Sequence, residues 1–446
     1  MFGLLTYLGV LLTVVVGSML RPPIALAGVL CLFGLKQWGQ NASTLLLQYP
    51  LLTNVTVGIV TLIAVLRAAF KRSCLFCRFP PAQTCILCLF LYAFATLTWS
   101  LDLDSGLDTW ASSSPYLVVV MLLAPLVIDD LEDLKTAFGW TVLLGGAICF
   151  LAVVFGTWGF RGLAVAGAAP TGSLLEAGAT IAETNPLAIA GLGGTVVVAA
   201  ATFLIGRRRL FLKTVALVAI PFALAAIIRS GSRGQLALVP PAFLVAAAVA
   251  FKLRGFRSWA ALSLLTLLIA GMGWWATSLV EFNKSRWLGS EVAVADVAGR
   301  FDMAGVVLKA ALDHPLALFI GLGNSSSFKL LGIYPHITIL EVFAEEGLPG
   351  IALYFAVLIY ATRSIRRAAR VLADDPARRI ALGILAGLFV YELLLSWKQG
   401  ALLSSEYVFC YAIILGRVEL ALAGAPATER NALVAAPARP FPNLMP

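Results

Sequence analysis

Long apolar runs, separated by short charged segments, place the strongest constraint on what this chain can fold into. The chain is 60% hydrophobic and only 12% charged over 446 residues, whereas soluble domains carry about 25% charged residues. So few charges could not cover the surface of a soluble protein of this size. Because a membrane-spanning helix needs about 20 mainly apolar residues, the composition predicts an integral membrane protein. It excludes a soluble enzyme, a disordered chain and a disulfide-stapled secreted domain.

The apolar runs predict an all-α polytopic membrane protein, a single transmembrane domain over 1–446 with about twelve transmembrane helices. Eleven runs stand between charged segments, at 51–68, 83–98, 113–128, 136–157, 185–205, 210–229, 234–252, 258–277, 346–362, 379–396 and 400–417. Two further runs, 3–19 and 24–35, flank Arg21-Pro22-Pro23. Because proline breaks the helical ladder, we expect these two to form one kinked or partly re-entrant passage, with both termini inside. If both runs span, the N-terminus lies outside.

The distribution of Lys and Arg sets the expected orientation. They cluster in four connections, at 67–78, 207–213, 252–257 and 363–379, which the positive-inside rule places in the cytoplasm. The acidic 129–135 connection must also be cytoplasmic, and acidic residues count little in that rule. The formal net charge of +9 therefore reflects topology, and we expect no nucleic-acid partner.

The segment 278–345 is the one excursion long enough to form structure outside the bilayer. Within it, the pattern of 297–312 predicts a helix that ends at Asp313-His314-Pro315, with an apolar face of Phe301, Val306, Leu308 and Leu312. The Ala/Pro-rich tail at 418–446 is expected to be disordered and cytoplasmic.

Both histidines of the chain, His314 and His336, lie in this segment. His336 follows a proline at the predicted start of a helix, where a histidine can act as a general base or a donor near neutral pH. The alternative is an interfacial polar residue without chemistry. His314, beside Asp313 at a helix end, is interpreted as a C-terminal cap.

Three arginines are expected outside, against the orientation rule. Arg233 lies in a Ser-Gly-Ser-Arg-Gly turn, Arg300 lies on the predicted external helix, and Arg161 follows the end of a span. A cation at membrane depth usually marks a partner or a ligand, and guanidinium groups bind phosphate through paired hydrogen bonds. The three therefore indicate an anionic ligand such as a diphosphate, unless each one pairs with a local carboxylate or a lipid headgroup. Lys398 and Glu392, near the outer end of another span, could pair with each other.

Two features raise the possibility of a metal ion, and neither is a specific signal. The CxxC pairs at 74–77 and 85–88 are closer together than the pairs of a zinc ribbon, and the second lies in an apolar run. Asp102 and Asp104 form a DxD motif, which some membrane glycosyltransferases use to hold a divalent metal. We expect no metal and no other cofactor.

The stretch from Gly299 to Gly350 resembles the loop region shared by the O-antigen ligase/polymerase superfamily. That family has an arginine opening a helix, a "hPl…GlG" turn, a "ypHn..Le" motif and then "E.G..G" entering a span. The matching residues are Arg300, His314-Pro315-Leu316, Gly321-Leu322-Gly323, Tyr334-Pro335-His336, Leu340-Glu341 and Glu346-Gly347-Leu348-Pro349-Gly350. The turn at 230–234 resembles the family's other arginine motif. One departure is Ile337, where the family usually has an asparagine.

The resemblance implies a GT-C-like glycosyltransferase of the bacterial inner membrane, with 278–345 as a large periplasmic loop over the active site. Such proteins transfer a glycan from undecaprenyl pyrophosphate to an acceptor hydroxyl, without a nucleotide sugar. Arg233, Arg300 and Arg161 would stabilise the leaving diphosphate. His336 would either activate the acceptor as a general base or hold the diphosphate as an imidazolium. Supporting roles are expected for Tyr334, Glu341 and Lys398.

Three functions remain open. A ligase uses lipid A-core as the acceptor, and the twelve-span count and the compact size favour it. A polymerase of the same superfamily uses a second lipid-linked repeat. A transporter or flippase of a lipid-linked anionic substrate would need polar residues through the full depth of the bilayer, whereas the charges here crowd the outer ends of the spans. The expected partners are the lipid-linked donor, the acceptor and membrane lipids, and we expect a monomer.

Overall fold

The computed structural model describes residues 2–71, 79–159, 162–166, 183–206, 210–251, 260, 263–264, 271 and 290–424. These residues are almost wholly helical, and in them the β-pairing is limited to two isolated bridges, Trp158 with Leu163 and Ala164 with Glu183. Within the same residues, eleven helices are long and apolar enough to cross a membrane. The chain is therefore an all-α multi-pass membrane protein, as its composition predicts.

The helices of the described part are numbered here in chain order. They are α1 (Phe2–Leu20), α2 (Ile24–Ala42), α3 (Thr44–Gln48), α4 (Leu51–Lys71), α5 (Pro81–Thr96), α6 (Leu103–Tyr116), α7 (Leu131–Phe155), α8 (Pro186–Ile205), α9 (Leu210–Arg229), α10 (Arg233–Phe251), α11 (Ser290–Asp313), α12 (Pro315–Ile320), α13 (Ser326–Leu331), α14 (Thr338–Val371), α15 (Pro376–Gln399) and α16 (Glu406–Gly424). Short 3-10 turns cover Leu97–Trp99 and Leu402–Ser404. The predicted span at 258–277 lies almost entirely outside the described residues.

The first two helices form an antiparallel hairpin, which corrects the expected single kinked passage. At one end, a Cβ added to Gly3 would lie 2.8 Å from the Cβ of Ala42, and at the other, a Cβ on Gly17 would lie 3.1 Å from Ile24 Cγ2. Helices α1 and α2 therefore pack along their whole length. The residues at 21–23 form the turn between them, where proline interrupts no helical hydrogen bond.

The predicted span at 113–128 is the least regular in the bundle. Helix α6 begins ten residues earlier, at Leu103, and gives way to a π-helical stretch at Leu117–Leu123 and a 3-10 turn at Ala124–Val127. The early start follows from Asp102, whose side chain accepts a hydrogen bond from the Ser105 amide at 3.1 Å. An aspartate at this position satisfies one of the amides that a helix start leaves unpaired.

Helix α11 confirms the predicted helix in the 278–345 segment, but its predicted apolar face is wrong. The buried face is formed by Ala304, Val307 and Ala311, whereas Phe301 is 68% exposed and Leu312 is 54% exposed. Exposed apolar side chains are common on protein surfaces, because there is not enough polar surface to cover them. Hydrophobicity alone therefore does not tell which face of such a helix is buried.

The structure also refines the predictions for His314 and for the C-terminal tail. Helix α11 ends at Asp313 as expected, and His314 lies at the N-terminal cap position of α12, where its side chain makes no capping hydrogen bond. At the C-terminal end, α16 continues to Gly424, past the predicted start of the tail at 418. The tail beyond 424 lies outside the described residues.

Candidate functional site

Four of the predicted site residues meet at one end of the bundle. Arg300 on α11 donates a hydrogen bond from Nη1 to the backbone carbonyl oxygen of Lys398 at 3.1 Å. The ring of Tyr334 packs against the imidazole of His336 in a tilted edge-to-face contact, with 4.3 Å between the ring centroids. His336 in turn hydrogen-bonds the backbone of Gln399. The end of α15 thus holds both the arginine and the histidine.

His336 has an unusual backbone conformation. It lies two residues before the start of α14 with a φ of 60°, in the left-handed region that costs a non-glycine residue about 1–3 kcal/mol. The next residues fix this conformation, because Thr338 Oγ1 donates to the backbone carbonyl of Ser396 at 2.9 Å. The backbone that leads into α14 therefore holds the imidazole in place, although the isoleucine at position 337 has no side-chain amide.

Burial and the neighbouring cations keep His336 neutral. Burial lowers the pKa of His336, the positive charges of Arg300 and Lys398 lower it further, and the hydrogen bond with the Gln399 backbone partly offsets them. Burial also raises the pKa of Tyr334, with Glu341 adding to the effect and Arg300 opposing it. The site thus presents a neutral imidazole and a neutral phenol at pH 7, with two cations beside them.

The turn that carries Arg233 joins the same site. Arg233 is the first residue of α10, and the following residue, Gly234, lies directly against Lys398. A Cβ at Gly234 would overlap the Cε and Nζ atoms of Lys398. The Lys398 ammonium also donates to Gln399 Oε1 at 3.0 Å. The predicted supporting lysine therefore lies between the arginine turn and the histidine, and Glu392 lines a cavity that also reaches Tyr334 and Gln399.

Glu341 lies behind the site. Its side chain is 5% exposed, and its Oε2 atom accepts a hydrogen bond from the Leu402 amide at 3.1 Å. This bond ties the first turn of α14 to the segment that follows α15. Glu341 therefore supports the site through the backbone. The third arginine predicted to bind the diphosphate, Arg161, lies outside the described residues.

Glu345 and its neighbour form a support that sequence reasoning missed in part. The two carboxyl oxygens of Glu345 accept hydrogen bonds from the amides of Ser325 and Ser327, at 2.6 and 2.9 Å. Glu346 Oε1 accepts from Asn324 Nδ2 at 2.7 Å. Both glutamates are fully buried. In the sequence, only the pair of adjacent acidic residues in an apolar stretch indicated this support. Their hydrogen-bond partners lie around the start of α13, 18 to 22 positions earlier in the sequence.

Two glycines bring the "GlG" turn and the "E.G..G" motif into contact. Gly321 has a φ of 83°, Gly347 has a φ of 63°, and glycine adopts these angles without steric cost. A Cβ at Gly321 would overlap the Glu345 carbonyl oxygen, and one at Gly347 would lie 2.6 Å from the Gly321 nitrogen. The two motifs are therefore a single packed unit that positions the start of α14.

Asp102 of the DxD motif has a structural role at the start of α6. Besides the Ser105 amide, Asp102 accepts a hydrogen bond from the Ser105 hydroxyl at 3.0 Å. Of the cysteine pairs, Cys85 and Cys88 lie on α5 and the pair at 74–77 is outside the described residues. Among the residues that the structure describes, no group of three or more His, Cys, Asp or Glu side chains is placed to hold a metal ion.

The site thus combines a neutral histidine and a tyrosine with Arg300 and Lys398, and the turn of Arg233 lies alongside. An arrangement of this kind can take up a proton beside a bound anion. No protein-family model and no curated protein sequence matches the chain.

Proposed function

We propose that this protein is an O-antigen ligase, which transfers a glycan from undecaprenyl pyrophosphate to a sugar hydroxyl of lipid A-core at the periplasmic face of the bacterial inner membrane. One observation carries the proposal. A half-buried, neutral His336 lies within the influence of two cations, Arg300 and Lys398, at one end of an apolar helix bundle. This arrangement suits a reaction that moves a proton and releases an anion.

The proposed reaction is a direct displacement at the anomeric carbon. The acceptor hydroxyl oxygen forms the new bond to that carbon while the bond to the diphosphate oxygen breaks. The acceptor proton passes to His336, and the electron pair of the broken bond leaves with undecaprenyl pyrophosphate. Arg300, Lys398 and Arg233 stabilise the charge that grows on the leaving group, because preorganised cations are most effective where charge develops. The anomeric configuration is inverted.

The low pKa of His336 favours the general-base role over the imidazolium role. A neutral imidazole has a free lone pair for the acceptor proton. A bound diphosphate would bring negative charge close to His336, and negative charge raises the pKa of a histidine. The donor would therefore make His336 a better proton acceptor at the moment when the acceptor is attacked.

A reconstituted transfer assay tests the proposal and its alternatives. Purified protein in proteoliposomes is given a glycan on undecaprenyl pyrophosphate, together with lipid A-core or with a second lipid-linked repeat. Glycan on lipid A-core supports the ligase. Glycan on the second repeat indicates a polymerase of the same superfamily. Movement of the donor across the bilayer without a covalent product indicates a transporter or flippase.

A further inference from the structure

A cavity of about 290 Å³ lies inside the bundle next to the candidate site. Tyr334 and Gln399 line it at the site end, where the Tyr334 ring touches His336. Glu392 and Glu406 line it further along. Glu392 is seven residues before Gln399 on α15, so about 10 Å of helix separates the two levels. The cavity therefore leads from the proposed reacting groups into the bundle.

The cavity is lined by a buried polar group that the protein itself does not satisfy. Gln235 is 1% exposed, and its Oε1 atom is buried without a hydrogen-bond partner. Glu392 and Glu406 line the same cavity, and the carboxyl group of Glu406 hydrogen-bonds its own backbone. A buried acceptor without a partner costs about 1–3 kcal/mol. This unpartnered acceptor, beside the two carboxyl groups of the same cavity, points to a ligand that supplies hydrogen-bond donors.

The remaining lining defines the chemistry of that ligand. Tyr407 and Tyr411 offer aromatic surface, Ser404 and Ser405 offer hydroxyl groups, and Leu30 and other residues of α2 and α8 are apolar. No lysine or arginine is among the described residues that line the cavity, and a diphosphate needs cations around it, so the diphosphate does not belong here. A ring with several hydroxyl donors and an apolar face fits all of these groups. The volume is near the lower end of the range of about 300–1,000 Å³ for small-molecule sites, which suits one ring.

We propose that this cavity binds a sugar ring, whose hydroxyl groups donate hydrogen bonds to Glu392, Glu406 and Gln235. The inference rests on the proposed function and deepens it: the arginine turn and Arg300 hold the diphosphate, and the cavity holds a sugar next to His336. The ring belongs either to the donor glycan or to the acceptor. Both present the same hydroxyl chemistry, and binding measurements separate them.

The test compares Glu392→Leu and Glu406→Leu with the matched control Glu419→Leu. Glu419 lies on α16 as Glu406 does, but it pairs with Arg367 at 2.8 Å, away from the cavity. Affinities are measured in lipid nanodiscs for three probes: undecaprenyl pyrophosphate, the same lipid carrying a glycan, and lipid A-core. Each cavity variant should bind one sugar-bearing probe about tenfold more weakly, the loss of roughly one hydrogen bond. The bare lipid and the control should be unchanged.

The outcomes separate the cavity from the proposed function. A loss confined to the glycan-bearing lipid assigns the ring to the donor, and a loss confined to lipid A-core assigns it to the acceptor. Unchanged affinity for both, with normal binding of the bare lipid, overturns the sugar site and leaves the proposed function standing. An equal loss for the bare lipid also overturns it. Failure of the wild type to bind any probe contradicts both proposals. If the leucine variants do not insert, Gln235→Leu provides the same test.

Discussion

Arg300 and Lys398 are 98 positions apart in the sequence, and a hydrogen bond of 3.1 Å from Arg300 Nη1 to the Lys398 carbonyl oxygen joins them. This bond fastens α11 to the end of α15, next to the backbone that His336 contacts. Arg300 therefore does two things at once. It fixes α11 to the end of α15, and its charge lowers the pKa of His336.

The lowered pKa of His336 predicts the pH dependence of transfer. The neutral imidazole is the active form, so kcat/KM should fall as the pH drops through the lowered pKa, with the acid limb below the ordinary histidine value of about 6.5. Lys398→Met removes a nearby positive charge and should move that limb to higher pH. The exposed Lys329 on α13 supplies the control, Lys329→Met, which should not move it. If the acid limb of the kcat/KM profile did not move in Lys398→Met, the electrostatic account would be contradicted.

The cations predict the affinity for the donor. Arg300→Ala and Arg233→Ala should each weaken binding of undecaprenyl pyrophosphate by about 10- to 100-fold, since a hydrogen bond to a charged group contributes about 1.5–3 kcal/mol. Binding to purified protein in nanodiscs measures the change. Arg363→Ala, at an exposed position near the far end of α14, is the matched control. Unchanged donor affinity in both site variants would refute the diphosphate clamp.

The contact between the two glycine motifs predicts a loss of stability. Gly321→Ala and Gly347→Ala should each lower the free energy of unfolding by at least about 2 kcal/mol, because alanine is strained at a positive φ and the added Cβ meets backbone atoms. Gly305→Ala, on α11 with no atom within 4 Å of the added Cβ, should not destabilise the protein, because alanine is favoured over glycine inside a helix by about 0.5–1 kcal/mol. Thermal unfolding in detergent compares the three. Equal thermal-unfolding midpoints for the three variants would show that the packed glycine motifs do not hold α14 in place.

The capping role of Asp102 predicts the response to chelators. EDTA should leave the transfer rate of purified protein unchanged, and Asp102→Asn should remain active, because asparagine caps a helix about as well as aspartate. Asp102→Ala should lose about 1 kcal/mol of stability. If EDTA abolished transfer and a divalent ion restored it, Asp102 and Asp104 would become the candidate metal ligands.

The sequence predicted helices well where charges bound an apolar run. The run at 210–229 coincides with α9 (Leu210–Arg229), and the run at 234–252 lies one residue from α10 (Arg233–Phe251). The sequence-based prediction failed where one pattern is compatible with two different structures. Pro22 and Pro23 can kink a helix or form a turn between two, and only the packing of α1 on α2 distinguishes them.

The candidate site, like the fold, could be predicted from the sequence only in part. Residue chemistry pointed to His336, Arg300 and Arg233 because histidines are rare in this chain and these arginines lie outside the basic connections, and to Lys398 because it lies near the end of a span. The left-handed backbone of His336, the contact of Gly234 with Lys398 and the hydrogen bonds of Glu345 depend on residues far apart in the sequence. Local spacing carries no signal for such contacts.

The initial rate of glycan transfer from undecaprenyl pyrophosphate to lipid A-core by purified His336→Ala tests the central claim most directly. The variant should insert and bind the donor as the wild type does, since the imidazole acts on the acceptor proton. Its rate should fall at least about 100-fold, the lower end of the contribution of a general base. A rate close to that of the wild type, with donor binding intact, would contradict the role of His336 and with it the proposed mechanism.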